Sequence, residues 1–231
     1  MTRIGLLGGM SWESTAEYYR LLNELTRDRR GGLASAECVV HSVDFAPVAA
    51  MQAEGRWSDA AELLADAARS LQAAGADLLL LATNTMHKVF DEVESSVDVP
   101  MLHLCDATAA AVVAAGLDTV GLLGTGFTME QDFYVDRLAS HGPAVLVPEA
   151  EDRALVHRVI YDELCLGVVR DESRAAYLEV VDRLVARGAQ GVVLGCTEIE
   201  LLVGPDDLDV PSFPTARLHV EAALRMAEGL A

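Results

Sequence analysis

The sequence predicts an α/β protein of two pseudo-symmetric lobes, each built on a parallel sheet, and three observations carry that expectation. Short apolar runs alternate with amphipathic stretches of helical period, the pattern of repeated βαβ units. The second half then repeats the first. Gly121-Leu122-Leu123-Gly124 echoes Gly5-Leu6-Leu7-Gly8, Gly188-Ala189 echoes Gly75-Ala76, and Asp209-Val210-Pro211 echoes Asp98-Val99-Pro100, at a nearly constant offset of about 113 residues. Finally, Leu78-Leu79-Leu80-Leu81-Ala82 runs straight into Thr83-Asn84-Thr85, and Val192-Val193-Leu194-Gly195 into Cys196-Thr197-Glu198. Both strands deliver reactive side chains to a C-terminal edge, where open α/β sheets bind ligands.

Ile4-Gly5-Leu6-Leu7 is the first strand, and Gly8 to Ser11 turns into a helix over Trp12 to Arg29 that Gly31-Gly32 closes. Glu37 to Val43 reads as a strand. Ser58 to Ala74 reads as a helix with Leu63, Leu64, Ala67, Leu71 and Ala74 on one face, after a connector from Asp44 to Trp57. Gly75-Ala76-Asp77 introduces the Leu78 strand, and a helix follows around Lys88 to Ser95. Asp98-Val99-Pro100 then opens a strand over Met101 to Leu104. The second half follows the same order. Facing halves would bring Thr83 and Cys196 together across a cleft, a geometry suited to proton transfer on two faces of one carbon.

With 231 residues and a hydrophobic share of 52%, the chain can bury a substantial core and is not expected to be disordered. Seventeen basic residues against thirty-six acidic ones give a formal charge of −19, which argues against nucleic acid or an anionic membrane surface as partner. A small anionic substrate would need local help from hydroxyl donors and helix N-termini. No export signal is visible at the N-terminus, and Ala107 to Ala115, the longest largely apolar stretch, is too short to span a bilayer. Cys38, Cys105, Cys165 and Cys196 show no framework spacing, so a reduced, cytoplasmic protein is expected. Cys38 and Cys105 read as packing in strand-like settings, and Cys165 as packing in a helix. The only lysine is Lys88, beside Thr83-Asn84-Thr85-Met86-His87.

Several chemistries lack their signature. GxGxxG is absent at Gly5 and at Gly121, which removes the dinucleotide fingerprint. What remains is a glycine-permitted turn that brings backbone N–H groups and Ser11 to an anion, matched by Gly124-Thr125-Gly126-Phe127-Thr128 in the second half. His103-x-Cys105, read on a strand, shares a face without further ligands, so no metal site is expected. No GxSxG elbow occurs. Cys196 is the reactive group that stands out. An ordinary thiol titrates near about 8.5; a helix N-terminus or hydrogen-bond donors would lower that, and Glu198 would oppose the lowering. The sequence leaves that balance open.

Gly5-Leu6-Leu7-Gly8-Gly9-Met10-Ser11-Trp12-Glu13-Ser14-Thr15, Ala82-Thr83-Asn84-Thr85-Met86-His87-Lys88 and Gly195-Cys196-Thr197-Glu198-Ile199 resemble the aspartate/glutamate racemase family over essentially the whole chain. The resemblance implies an isomerase that interconverts L- and D-amino acids without pyridoxal phosphate or any other cofactor. Two cysteines act there, one on each face of the α-carbon. The second maps onto Cys196 and the first onto Thr83, a departure that resembles a subgroup of broad-range racemases. A hydroxyl holds its proton far more tightly than a thiol, so Thr83 is a poor base and Cys196 the expected principal one. Met10, Ser11, Asn84, Thr85, Thr125 and Thr197 are implied to hold the amino-acid carboxylate and ammonium, with Gln52 towards the substrate side chain. The last helix, roughly Ala216 to Leu230, is implied to return to the first lobe, giving lobes of residues 1–97 plus 209–231 and 98–208, with the active site in the cleft between them. A homodimer is implied as well. Pro214 stands where relatives often carry Asp, which removes a backbone donor and a carboxylate from the start of that helix.

Two other functions fit parts of this pattern. A single thiol suffices for a decarboxylase or cis–trans isomerase of small dicarboxylates, which need no ammonium recognition. A binding protein that lost its chemistry through Thr83 would hold an amino acid without exchanging its α-proton.

Overall fold

A computed structural model of the chain describes residues 2–229. Contacts divide it into two units, one formed by the described residues up to His103 together with those from His219 onward, the other by Leu104–Leu218.

In the first unit, β1 (Ile4–Gly8) leads to α1 (Trp12–Arg30), β2 (Cys38–Ser42), α2 (Phe45–Glu54), α3 (Trp57–Ala73) and β3 (Leu78–Leu81). A 3-10 turn over Thr85–Val89 continues into α4 (Phe90–Glu94) and then β4 (Met101–Leu102). All pairings are parallel, in the order β2-β1-β3-β4. The apolar faces of α2 and α3 meet β1 and β3 around Val48, Leu64, Ala68, Leu71 and Leu79, all fully or nearly fully buried.

The second unit begins with α5 (Leu104–Ala114) and β5 (Thr119–Gly124), followed by α6 (Gly126–Glu130), α7 (Asp132–Ser140), β6 (Ala144–Leu146) and α8 (Ala150–Asp162). A 3-10 turn over Leu164–Leu166 precedes α9 (Asp171–Ala186), β7 (Val192–Gly195), α10 (Ile199–Leu202), a 3-10 turn over Pro205–Asp207 and β8 (Ser212–Pro214). Its sheet is again parallel, in the order β6-β5-β7-β8. The unit boundary falls inside α11 (Thr215–Ala227). Of that predicted helix, Leu230 lies outside the described residues.

The repeat seen in the sequence is a repeat of register. Gly5 sits opposite Leu79, and Gly121 opposite Val192. Leu79 sits opposite Met101, and Val192 opposite Ser212. Every strand of one sheet therefore has its counterpart in the other.

Four local expectations are corrected. Asp44 to Trp57 is not a connector: Asp44 caps α2 by accepting from the Ala46 N–H at 3.1 Å, and Gly55 ends it in the left-handed conformation. The helix expected around Lys88 to Ser95 starts as the tighter Thr85–Val89 turn. The strand expected over Met101 to Leu104 stops at Leu102, because β3 offers partners only to Met101 and Leu102, and Leu104 begins α5. Cys105 is consequently a helical core residue, and His103-x-Cys105 has no shared strand face. The units part after His103 and after Leu218, with β4 paired to β3 and β8 to β7. Among the described residues no helix is long and apolar enough to cross a membrane.

Candidate active site

In the first unit, the Gly8–Ser11 turn and the Ala82–Thr85 segment follow adjacent strands, because β1 and β3 pair as far as Leu7 and Leu81. Gly9 takes φ 92°, and the Val43 backbone lies where any Cβ would stand, so only glycine passes β2 there. The Gly9 N–H donates to Thr15 Oγ1 at 2.7 Å, and that hydroxyl donates on to the Ser11 carbonyl at 2.9 Å. Ser11 caps α1 by accepting from the Ser14 N–H at 3.3 Å, and the Ser14 hydroxyl donates to the Ala82 carbonyl at 3.1 Å. The start of α1 is thus tied to the residue before Thr83. Met10, Ser11, Thr83, Asn84 and Thr85 all lie buried at this edge. Gln52, on α2, is buried with its amide 3.0 Å from Met86 Sδ, which places it beside the same segment.

Behind Thr83, His87 Nδ1 lies 2.7 Å from the Thr83 carbonyl, which can only accept, so the Nδ1 proton points there. The His87 ring stacks on Phe90 and meets His103 at 4.6 Å between centroids, while His219 bridges the Tyr18 hydroxyl at 2.9 Å and the Leu102 carbonyl at 2.8 Å. The lone lysine has a partner too: Lys88 Nζ sits 4.4 Å over the Trp57 ring.

In the second unit, Thr125 and Cys196 follow the paired ends Gly124 and Gly195 of β5 and β7. Thr125 caps α6, accepting from the Thr128 N–H at 3.3 Å. After β7 the chain turns tightly, with the Ile199 N–H on the Cys196 carbonyl at 3.1 Å and the Leu201 N–H on the Glu198 carbonyl at 3.0 Å. That turn brings residues 196 and 198 side by side. The Cys196 thiol donates to Glu198 Oε2 at 3.0 Å, and the Cys165 thiol to Oε1 of the same carboxylate at 3.8 Å.

The balance left open by the sequence goes upward. Burial first, then the charge of Glu198 and of Cys165, push the Cys196 thiol well above its ordinary pKa; only a hydrogen bond from the Glu198 backbone pulls the other way. Tyr161 is also pushed up, by burial and then by Cys196, Cys165 and Glu198, so it remains a phenol beside the pair. Sequence reasoning treated Glu198 only as an opposing charge and Cys165 only as packing. The Cys-x-Glu spacing was the signal for the first; nothing local marked the second. No group of three or more His, Cys, Asp or Glu side chains that could hold a metal ion occurs among the described residues.

Each unit thus presents its own sheet edge, the first carrying Thr83 with hydroxyl and amide neighbours and the second a thiol held against a carboxylate. The chain belongs to the Asp/Glu/Hydantoin racemase family, which it matches over residues 7–223. It is similar to a putative Asp/Glu racemase from Yersinia pestis, with 49% identity and a TM-score of 0.91 across 99% of this chain and 100% of that one. An aspartate racemase homologue from Pyrococcus horikoshii OT3 is 34% identical with a TM-score of 0.87, over 99% and 100% of the two chains. Among curated relatives, the broad specificity amino-acid racemase RacX of Bacillus subtilis is 22% identical over 149 residues, and the match spans 63% of each chain.

Proposed function

We propose that the chain is a cofactor-independent amino-acid racemase acting on acidic amino acids, with Cys196 exchanging the α-proton on one face and Thr83 on the other. The observation that carries this is the Cys196–Glu198 contact. A thiol aimed at a carboxylate 3.0 Å away can hand over its proton, become a base and be reprotonated within one turnover. A substrate ammonium would supply positive charge that offsets the effect of Glu198 on the thiol. Ser11, Asn84, Thr85, Thr125 and Thr197 are suited to hold the carboxylate and ammonium, with Met10 shaping the turn and Gln52 meeting the substrate side chain. Family membership supports the reaction, and acidic substrates follow from the resemblance. Homodimer formation belongs to the same reading: Trp12 and Tyr19, 67% and 52% exposed, share one face of α1, and sedimentation would show the dimer. None of the four cysteines lies in a disulfide, which suits a reducing cytoplasm.

The test is incubation with L- and D-glutamate and L- and D-aspartate in deuterated water without cofactor, following the α-proton by NMR and enantiomers by chiral chromatography. Wild-type protein is expected to exchange and invert an acidic amino acid, and Cys196→Ser to do neither. Absence of exchange with all four would overturn the assignment. Thr83→Cys is expected to raise inversion about tenfold or more, because a thiol is far closer to a useful pKa than a hydroxyl. An unchanged rate would remove Thr83 from the proton path.

A further inference from the structure

The second unit contains a histidine that the proton transfer does not use. α6 is five residues long and follows directly from Thr125, so its first N–H groups have no helical acceptor. Thr125 Oγ1 takes the Thr128 N–H, and Nδ1 of His157 on α8 takes the Gly126 N–H at 3.0 Å. A backbone N–H can only donate, so Nδ1 must offer its lone pair and the imidazole must be neutral, with its proton on Nε2. The ring is held by Tyr161 at 4.8 Å and by the edge of Phe127 at 6.0 Å between centroids. It also borders a cavity of about 420 Å³ lined by Gly126, Phe127, Glu130 and Arg153, so protons can reach it.

We infer that His157 is a positioning residue: as a neutral imidazole it anchors the Gly126 amide and so fixes the turn that presents Thr125 to the substrate. This rests on the proposed role of Thr125 in holding the substrate carboxylate. The charged groups around the ring are Glu130 on α6, which Arg153 pairs at 2.9 Å, and Asp162 on α8 itself. Burial lowers the affinity of the ring for a proton and outweighs these two carboxylates, which raise it. A histidine with a lowered pKa keeps its contribution above the ordinary imidazole range and loses it as pH falls from there. Protonation would set a cation against the Gly126 N–H and release the turn.

The consequence is a KM effect with a pH signature. Removing the acceptor in His157→Leu is expected to raise KM about tenfold at neutral pH with kcat within a few-fold. His157→Asn puts an amide oxygen where Nδ1 stands, two bonds from Cβ, and so keeps an acceptor that does not titrate. It is expected to restore most of the affinity and to abolish the rise in KM that the wild-type enzyme shows on acidification to below the ordinary imidazole range. An unchanged KM in His157→Leu, or an acid rise in KM that persists in His157→Asn, would overturn the inference. A second readout stands apart from turnover: imidazole 15N spectra of the wild-type chain should show the Nε2–H tautomer, and Gly126 amide protection should fall in the leucine variant and persist in the asparagine one. Should the wild-type protein exchange no α-proton, the racemase reading falls, and the tautomer and amide protection still decide whether His157 holds the turn.

Discussion

At the scale of single residues, the contact between Cys196 and Glu198 sets two demands against each other. To act as the proposed base, Cys196 must give up its proton before it can take one, yet burial and the neighbouring carboxylate favour the protonated thiol. Two consequences separate. The fraction of Cys196 able to accept a proton grows with pH, so kcat/KM in the direction that uses it as base should keep climbing past about pH 8.5, where an ordinary thiol levels off. A plateau at or below that point would mean that the thiol is not elevated in the working enzyme. Glu198→Gln removes the charge and the strong acceptor together. Its Cys196 should be alkylated several-fold faster by iodoacetamide at neutral pH, read by mass spectrometry so that Cys165 is counted separately, while racemisation falls by about 10- to 100-fold. Faster alkylation with full turnover would reduce Glu198 to a bystander charge. The Cys-x-Glu spacing was legible in the sequence. The direction of the shift was not, because it depends on how deeply the strand end is buried.

At the scale of elements, the candidate residues of each unit lie at strand ends and on the turns after them, and those turns depend on backbones passing close together. A Cβ on Gly195 would lie 2.8 Å from the Leu123 carbonyl oxygen and 2.8 Å from Leu122 Cδ1. The first of these is backbone in the middle of a sheet and cannot step aside. Gly195→Ala should therefore cost about 2 kcal/mol of stability, read as a lower denaturant midpoint, and should impair activity by displacing Cys196. Gly126→Ala is the contrast, since its Cβ would meet only ordinary contacts with the His157 ring from 3.5 Å outward, and it should change stability by less than about 0.5 kcal/mol. Equal losses in the two would show that close packing at the β5–β7 pair is not what requires glycine. The strands feeding this site were readable because a buried parallel strand is a continuous apolar run ending in a turn residue. α2 was missed because Phe45 to Glu54 buries only Val48 and Gln52, which leaves little helical periodicity; its signals were the Asp44 cap and Gly55. The strand before α5 was drawn two residues too long, to Leu104, because Leu102 and Leu104 alternate with His103 as strand residues do, and only the length of β3 decides where pairing stops.

At the scale of the whole molecule, the duplication was legible to the register because both halves must solve the same problem: a central strand paired on both sides, with a turn at its carboxyl end. Domain boundaries were less legible, since they depend on which sheet β4 and β8 join, and Val-Pro pairs introduce both strands alike. Charge acts on the chain as a whole. With 36 acidic residues against 17 basic ones, the folded state carries a self-repulsion that grows as the chain compacts. Its ion pairs do little to offset this: Arg3–Glu37, Arg56–Asp59 and Arg69–Asp66 are all well exposed, and such pairs contribute about 0–1 kcal/mol each. Salt weakens both effects, the repulsion among many charges and the attraction within a few pairs, with a Debye length that shrinks to about 3 Å at 1 M. Because the repulsion is summed over the excess acidic charge, raising sodium chloride from about 10 mM to about 1 M should raise Tm by several degrees, an effect of about 1 kcal/mol for a chain of this size. The same screening should raise kcat/KM for an anionic amino acid, which the bare chain repels at long range. A Tm that falls with salt would mean that the surface ion pairs act as a network strong enough to outweigh the repulsion.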